Sequence, residues 1–303
     1  MKTKFLFFAL MFSTLVSFAQ QDAQYTQYMY NTINVNPAYA GSRGVMSIFG
    51  LHRTQWVGLD GAPVTNAASI NTPIGNSSLG LGVSFVNDRI GPTDENTISA
   101  DVSYTINTSE TFKLSFGIKG TANLFNLDVT KLIAQDQNDP QFQNLRNNFT
   151  PNLGAGVYLH SDKFYVGFSV PHFFELTRYD DNSVAINQER MNFYLIGGYV
   201  FDLTPDLKFK PAFMSKAVEG APLQLDVSGN FLINEKFVLG AAYRWDAAFS
   251  GMAGFQVSDQ IFIGYGYDQE TTKLRRFNSG SHEVFLRFEL FKNYSKIVSP
   301  RFF

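Results

Sequence analysis

Cysteine is missing from all 303 residues, tryptophan occurs twice and histidine four times. Without cysteine there is no disulfide framework, thiol nucleophile or thiolate-bound metal. The absence also suits passage through an oxidising compartment. The histidines, His52, His160, His172 and His282, show neither i, i+4 spacing nor an HExxH context, so they read as structural polar residues rather than metal ligands. Charge is sparse: 17% of residues, with a formal net value of −2, which argues against a nucleic-acid partner. There is no G-x-S-x-G elbow, and Gly154-x-Gly156 and Gly264-x-Gly266 precede no helix, so neither a hydrolase nor a nucleotide loop is indicated. No catalytic, cofactor or metal residue is expected. Beyond residue 19, no stretch is apolar and long enough for a transmembrane helix.

What is abundant points elsewhere. Phenylalanine occurs 31 times and glycine 24, with 16% aromatic and 45% hydrophobic residues. A soluble core favours Leu and Ile over so much Phe, whereas a lipid-facing wall rimmed by aromatic girdles accommodates it. Met1 to Ala19 reads as a secretory signal peptide: Lys2 and Lys4, an apolar run from Phe5 to Phe18, and Ser17-Phe18-Ala19 before a cut at Gln20. An exported chain without a helical span is periplasmic, secreted or an outer-membrane barrel.

The stretch Leu153–Pro171 favours the barrel. Leu153, Ala155, Val157 and Leu159 alternate with Gly154, Gly156, Tyr158 and His160; after Ser161-Asp162-Lys163, Phe164, Val166, Phe168 and Val170 alternate with Tyr165, Gly167 and Ser169. Period two places one set on each face of a hairpin. Similar segments recur, roughly Val45–Arg53, Val64–Thr72, Ser78–Asn87, Asn96–Asn107, Thr111–Leu124, Asn152–His160, Lys163–Pro171 and Arg190–Asp202. Leu207–Ala217, Pro222–Leu232, Lys236–Trp245, Ala248–Val257, Gln260–Asp268 and His282–Leu290 complete the set. The count is about fourteen, an even number, as bacterial barrels require. The expected fold is therefore an all-β transmembrane antiparallel barrel over residues 45–290, in the bacterial outer membrane and in contact with its lipid. A periplasmic segment, 20–44, precedes it and a periplasmic tail, 291–303, follows.

Connection lengths agree with this layout. Alternate turns are short, whereas Phe125–Pro151, His172–Glu189 and Gln269–Ser281 are long and polar, as outer loops are. Expected lumen charges (Lys113, Lys119, Asp226, Glu283 and Arg287) are mixed and give no ion selectivity. Asp94-Glu95, Asp136/Asp139 and Asp180-Asp181 fall in outer loops; Asp136-Gln137-Asn138-Asp139 lacks the glycine and terminal glutamate of a calcium loop. In the first outer loop, Arg53 and Trp56 fit either partner recognition or an aromatic girdle.

Several segments together resemble the PorP/SprF family of outer-membrane proteins of the type IX secretion system. They are Gln27-Tyr28-Met29-Tyr30-Asn31, Ile33 to Ser42 with Asn36-Pro37-Ala38-Tyr39-Ala40-Gly41, Arg53 to Gly58 with Asp60-Gly61-Ala62-Pro63, the hairpin above, Asn278 to Glu283, and Ser299-Pro300-Arg301-Phe302-Phe303. Thr32-Ile33 departs slightly from the family pattern. The resemblance implies a non-enzymatic component that aids export, retention or anchoring of a large, gliding-type surface adhesin through the adhesin's C-terminal domain. It also implies contact with periplasmic components of the secretion system. On this reading the candidate partner-binding residues are Tyr28, Met29, Asn36, Pro37, Tyr39, Gly41, Arg53, Trp56, Pro300, Arg301, Phe302 and Phe303. Tyr28–Gly41 and the tail form a plug or docking surface, or else brace the barrel end. The alternative function is a porin or long-chain solute channel, which an open lumen would favour.

Overall fold

Fourteen antiparallel strands close into a barrel in the computed structural model, which describes residues 28–75, 77–131, 145–177 and 188–290. The expected signal peptide and the tail at 291–303 lie outside the described residues. The strands are β1 (Met46–Thr54), β2 (Val64–Pro73), β3 (Leu79–Ile90), β4 (Thr93–Asn107), β5 (Lys113–Leu127), β6 (Leu145–His160) and β7 (Phe164–Val170). They continue as β8 (Asn192–Tyr199, then Phe201–Thr204), β9 (Leu207–Val218), β10 (Gln224–Ile233), β11 (Phe237–Arg244), β12 (Ala248–Gln256), β13 (Ile261–Glu270) and β14 (Ser281–Leu290). Each pairs with its neighbour in sequence, and β1 pairs with β14 from Met46↔Leu290 to Thr54↔His282, which removes the sheet edge.

The alternation in the sequence becomes the two faces of the wall. On β3, Leu79, Leu81, Val83 and Phe85 are exposed while Gly80, Gly82 and Ser84 are buried. On β4 the outward apolar residues run from Ile98 to Ile106, about 27 Å along the strand at ~3.4 Å per residue, or ~20 Å along the membrane normal for a tilt near 40°. That approaches the ~25 Å apolar band of an outer-membrane barrel. Outward aromatic pairs mark its border at the short-turn end: Phe112–Phe164, Tyr199–Phe201, Phe209–Phe231 and Phe237–Phe255.

Three features refine the expectation from sequence. First, Arg190–Asp202 is not one uninterrupted strand. Val200 turns inward against the aromatic cluster of Tyr30, Phe262 and Phe285, and its amide donates to the Lys163 carbonyl at 2.8 Å. Beyond it, Phe201–Thr204 pairs with β9. Second, β5 and β6 run on to Leu127 and back from Leu145, because the ladder continues through polar pairs such as Thr121↔Asn152 and Asn123↔Thr150. The loop expected at Phe125–Pro151 shortens accordingly. Third, the wall is uneven: β4, β5 and β6 hold 15, 15 and 16 residues, whereas β11 and β12 hold 8 and 9. All the extra length rises at the long-loop end.

Candidate functional site: the filled lumen

The chain ahead of β1 lies inside the barrel. A 3₁₀ turn (Tyr28–Tyr30), one short helix, α1 (Thr32–Val35), and a second 3₁₀ turn (Pro37–Tyr39) follow one another. Local chemistry sets these turns. The Asn36 side chain accepts the Ala38 amide at 3.0 Å and Pro37 supplies the first residue of the turn, a standard N-cap arrangement. Gly41, at φ 71°, then turns the chain toward β1; a Cβ there would lie 2.9 Å from the Gly80 Cα.

The wall is shaped to receive this segment. A Cβ on Gly117 would sit 2.2 Å from the Ala38 nitrogen, and one on Gly156 would sit 2.2 Å from the Asn36 Oδ1. Inward polar side chains satisfy the segment's backbone. Lys119 Nζ donates to the carbonyls of Ile33 (3.0 Å) and Asn34 (3.1 Å), a cation on the last carbonyls of α1. Ser169 donates to the Val35 carbonyl at 2.7 Å, Ser103 to the Ala40 carbonyl at 2.7 Å, and Ser69 to the Asn31 side chain at 3.0 Å. Asn36 Nδ2 donates across to the Val157 carbonyl at 3.0 Å. These partners sit on the short-turn halves of β2, β4, β5 and β6, with Ser169 at the far end of the short β7 opposite Gly156, so the segment fills that half of the lumen.

Apolar burial adds to the fit. Tyr30 packs on Phe262 and Phe285, with ring centroids 5.5 and 4.7 Å apart, under the cations of Lys210 (5.7 Å) and Arg287 (5.8 Å). Ile33, Ala38, Tyr39 and Ala40 join Tyr158, Tyr165, Ile196 and Met214 in a second cluster. Burial pushes the Tyr28 and Tyr30 hydroxyls above the usual phenol range, which keeps both neutral. Burial opposes the Arg43 charge, but the Glu289 carboxylate and Tyr39 outweigh it and raise its pKa.

Toward the long-loop end the lumen is lined by ion pairs. Arg53 bridges Asp268 (2.7 Å) and Glu283 (3.3 Å), joining β1 to β13 and β14. Arg244 meets Asp226 at 3.1 Å there, while nearer the plug Lys119 meets Asp101 at 3.5 Å. Buried charges persist where they are paired and further hydrogen-bonded.

Of the residues singled out from the sequence, Tyr28, Asn36, Pro37 and Tyr39 are buried, and Met29 and Gly41 half-buried, all within the plug. Arg53 is buried in its ion pairs rather than presented by a loop. Trp56, half-buried and at φ 47°, donates through Nε1 to Glu270 at 2.9 Å, tying the first outer loop to β13. Pro300, Arg301, Phe302 and Phe303 lie outside the described residues, as do Asp136, Asp139, Asp180 and Asp181. Asp94 pairs with Arg89 at 3.0 Å. His52 and His282 face outward, diagonal to each other across β1 and β14 and beside Asn66 and Tyr265, and His160 is buried against Tyr158. Among the described residues no cluster of carboxylates and histidines is arranged for a metal ion. Lys119, Asp226, Glu283 and Arg287 face the lumen as expected, while Lys113 is exposed at the strand's start. Sequence reading passed over Arg43, Asp101, Lys210, Lys216 and Asp268; for those on strands, the signal is a charge at alternate positions of an otherwise apolar strand.

Residues 17–288 match the model of a family described as type IX secretion system membrane protein PorP/SprF. No curated protein matches the sequence. Among solved structures, the Acinetobacter baumannii outer membrane protein Omp33 aligns with a TM-score of 0.50 at 8% identity, over 81% of this chain and 98% of that one. The TodX deltaS2S3 mutant, a monoaromatic hydrocarbon channel, aligns with a TM-score of 0.50 at 7% identity, over 88% and 94%. At such identities the likeness is one of fold.

Proposed function

Because this chain belongs to the PorP/SprF family of type IX secretion system membrane proteins and is a bacterial outer-membrane barrel, we propose that it is a non-enzymatic partner in export. On this reading it holds or guides a large secreted surface adhesin by the adhesin's C-terminal domain. The observation that supports the reading is the filled lumen. Residues 28–41 occupy the short-turn half of the barrel and are hydrogen-bonded to its wall from several sides. A diffusion channel needs that space, whereas an anchoring barrel gains rigidity from filling it. On the same reading the short-turn end, where the plug lies, is the face that meets periplasmic components of the secretion system.

Affinity capture of the full chain from outer membranes tests this reading. Recovery of type IX components together with a surface adhesin is expected, and their absence under gentle crosslinking overturns it. The channel alternative is separated by planar-bilayer conductance: the native protein is expected to give no steady current, and solute flux at porin level refutes the plugged reading.

A further inference from the structure

The loop between β13 and β14 carries a run unlike anything else among the described residues: Lys273, Arg275 and Arg276 within one 3₁₀ turn of four residues, Lys273–Arg276. All three side chains are exposed, and no ion pair is formed by any of them among the described residues. Leu274 and Phe277 are exposed in the same turn, Phe277 at 67%. With three residues per turn, positions i and i+3 stack, so Leu274 and Phe277 share one side while Lys273 and Arg276 share another. The turn is held in shape by Asn278, whose Nδ2 donates to the Leu274 carbonyl at 2.7 Å, and by the Phe277 amide, which donates to the same carbonyl at 2.9 Å.

Its position decides what it meets. The loop leaves β13 beside the connection between β11 and β12, where the Thr271 amide donates to the Ala247 carbonyl at 2.9 Å. β11 and β12 hold only 8 and 9 residues, so the wall is low here and lipid comes close to this loop. Just below it, Tyr243 and Phe249 pack outward with ring centroids 4.6 Å apart, and Trp245 is 61% exposed. Aromatic residues of this kind sit at headgroup depth. The cations therefore stand in the headgroup layer, with Leu274 and Phe277 available to enter the acyl boundary beneath them.

We propose that Lys273, Arg275 and Arg276 bind phosphate groups of anionic lipid in the membrane leaflet at the long-loop end. Arginine forks chelate phosphate oxygens bidentately and lysine adds a point charge. The exposed apolar pair explains why the ligand is a lipid headgroup rather than free phosphate: a soluble anion makes no use of Leu274 or Phe277.

The test uses the full chain in detergent, with lipid binding followed by native mass spectrometry during titration with lipid A. Dephosphorylated lipid A and inorganic phosphate serve as comparisons. The triple substitution Lys273→Gln, Arg275→Gln, Arg276→Gln is expected to weaken lipid A binding by about 100-fold. It should leave the thermal unfolding temperature unchanged, because all three side chains are exposed. Leu274→Ser with Phe277→Ser is expected to weaken lipid A binding and to leave any binding of inorganic phosphate unchanged. Equal lipid A binding by native and triple-variant proteins overturns the proposal. So does equal binding of the phosphorylated and dephosphorylated lipids. Competition by inorganic phosphate at the lipid's own concentration overturns the choice of a lipid source.

Discussion

Asn36 is the residue whose loss tests the plugged lumen most directly. Its side chain makes one bond within the segment and one to the wall: Oδ1 accepts the Ala38 amide at 3.0 Å and Nδ2 donates to the Val157 carbonyl at 3.0 Å. It is 0% exposed and lies against Gly156 and Gly167, so water has no ready access to replace either bond. Asn36→Ala removes an N-cap, typically ~1 kcal/mol. It also takes the Asn36 Nδ2 donor away from the buried Val157 carbonyl, on the order of 1–3 kcal/mol. The seating of the plug is thus expected to weaken by about 2–4 kcal/mol, or roughly 30- to 1000-fold in the opening equilibrium. Hydrogen exchange reads this equilibrium locally. The amides of Asn36, Tyr39 and Ala40 bond to the carbonyls of Thr32, Asn36 and Pro37 and report on the segment. They should exchange faster by that factor, while amides in the β4–β5 ladder keep their native rates. Unchanged exchange at Tyr39 and Ala40 refutes the argument, because it means that the two bonds do not hold the segment. Global acceleration in every strand refutes it differently, by showing that plug and barrel open as one unit.

Other outcomes follow from the same contacts. Deleting residues 28–40 is expected to turn a silent barrel into a conducting one in planar bilayers, with the full-length protein as control. Gly117→Val places a side chain where the Ala38 backbone lies, so the segment is expected to be displaced; limited proteolysis should cut within 28–41 in the variant only. Arg53→Met leaves Asp268 and Glu283 facing each other without their shared cation and should cost about 3–5 kcal/mol of unfolding free energy. Adding Glu283→Gln is expected to return part of that loss in the same denaturation assay.

Much of the wall was legible because lipid outside and water inside impose opposite chemistry on adjacent residues. Leu79 to Phe85 and Val284 to Leu290 announce their outward faces by alternation alone. The break at Val200 was not legible: the alternation runs on through it, with Tyr199 and Phe201 outward and Val200 inward, and the aromatic cluster that receives it is remote in sequence. The upward extensions of β5 and β6 were missed for the opposite reason. Above the lipid band the outward face no longer needs to be apolar, so Asn126 reads as loop. The plug was harder still. Tyr28–Gly41 is rich in Asn and Tyr and by itself reads as an extended or short-helical periplasmic segment; a plug is one of the roles suggested beside the family resemblance. A polar lumen buries polar residues, so composition does not separate inside from outside. The glycines of β5 and β6 were visible, but their purpose, clearance for another stretch of backbone, depends on a contact about 80 to 120 residues away in sequence.

The uneven height of the wall has a further mechanical consequence. A strand of 8 residues crosses only ~20 Å of bilayer when tilted near 40°, less than the hydrocarbon core of ~30 Å that surrounds it. Lipids beside so short a wall compress to match it, so the bilayer thins against β11 and β12. Two bodies that each indent a film lose less elastic energy when their indentations merge. A neighbour with a similarly low flank is drawn to this side before any side chain of the two proteins has touched.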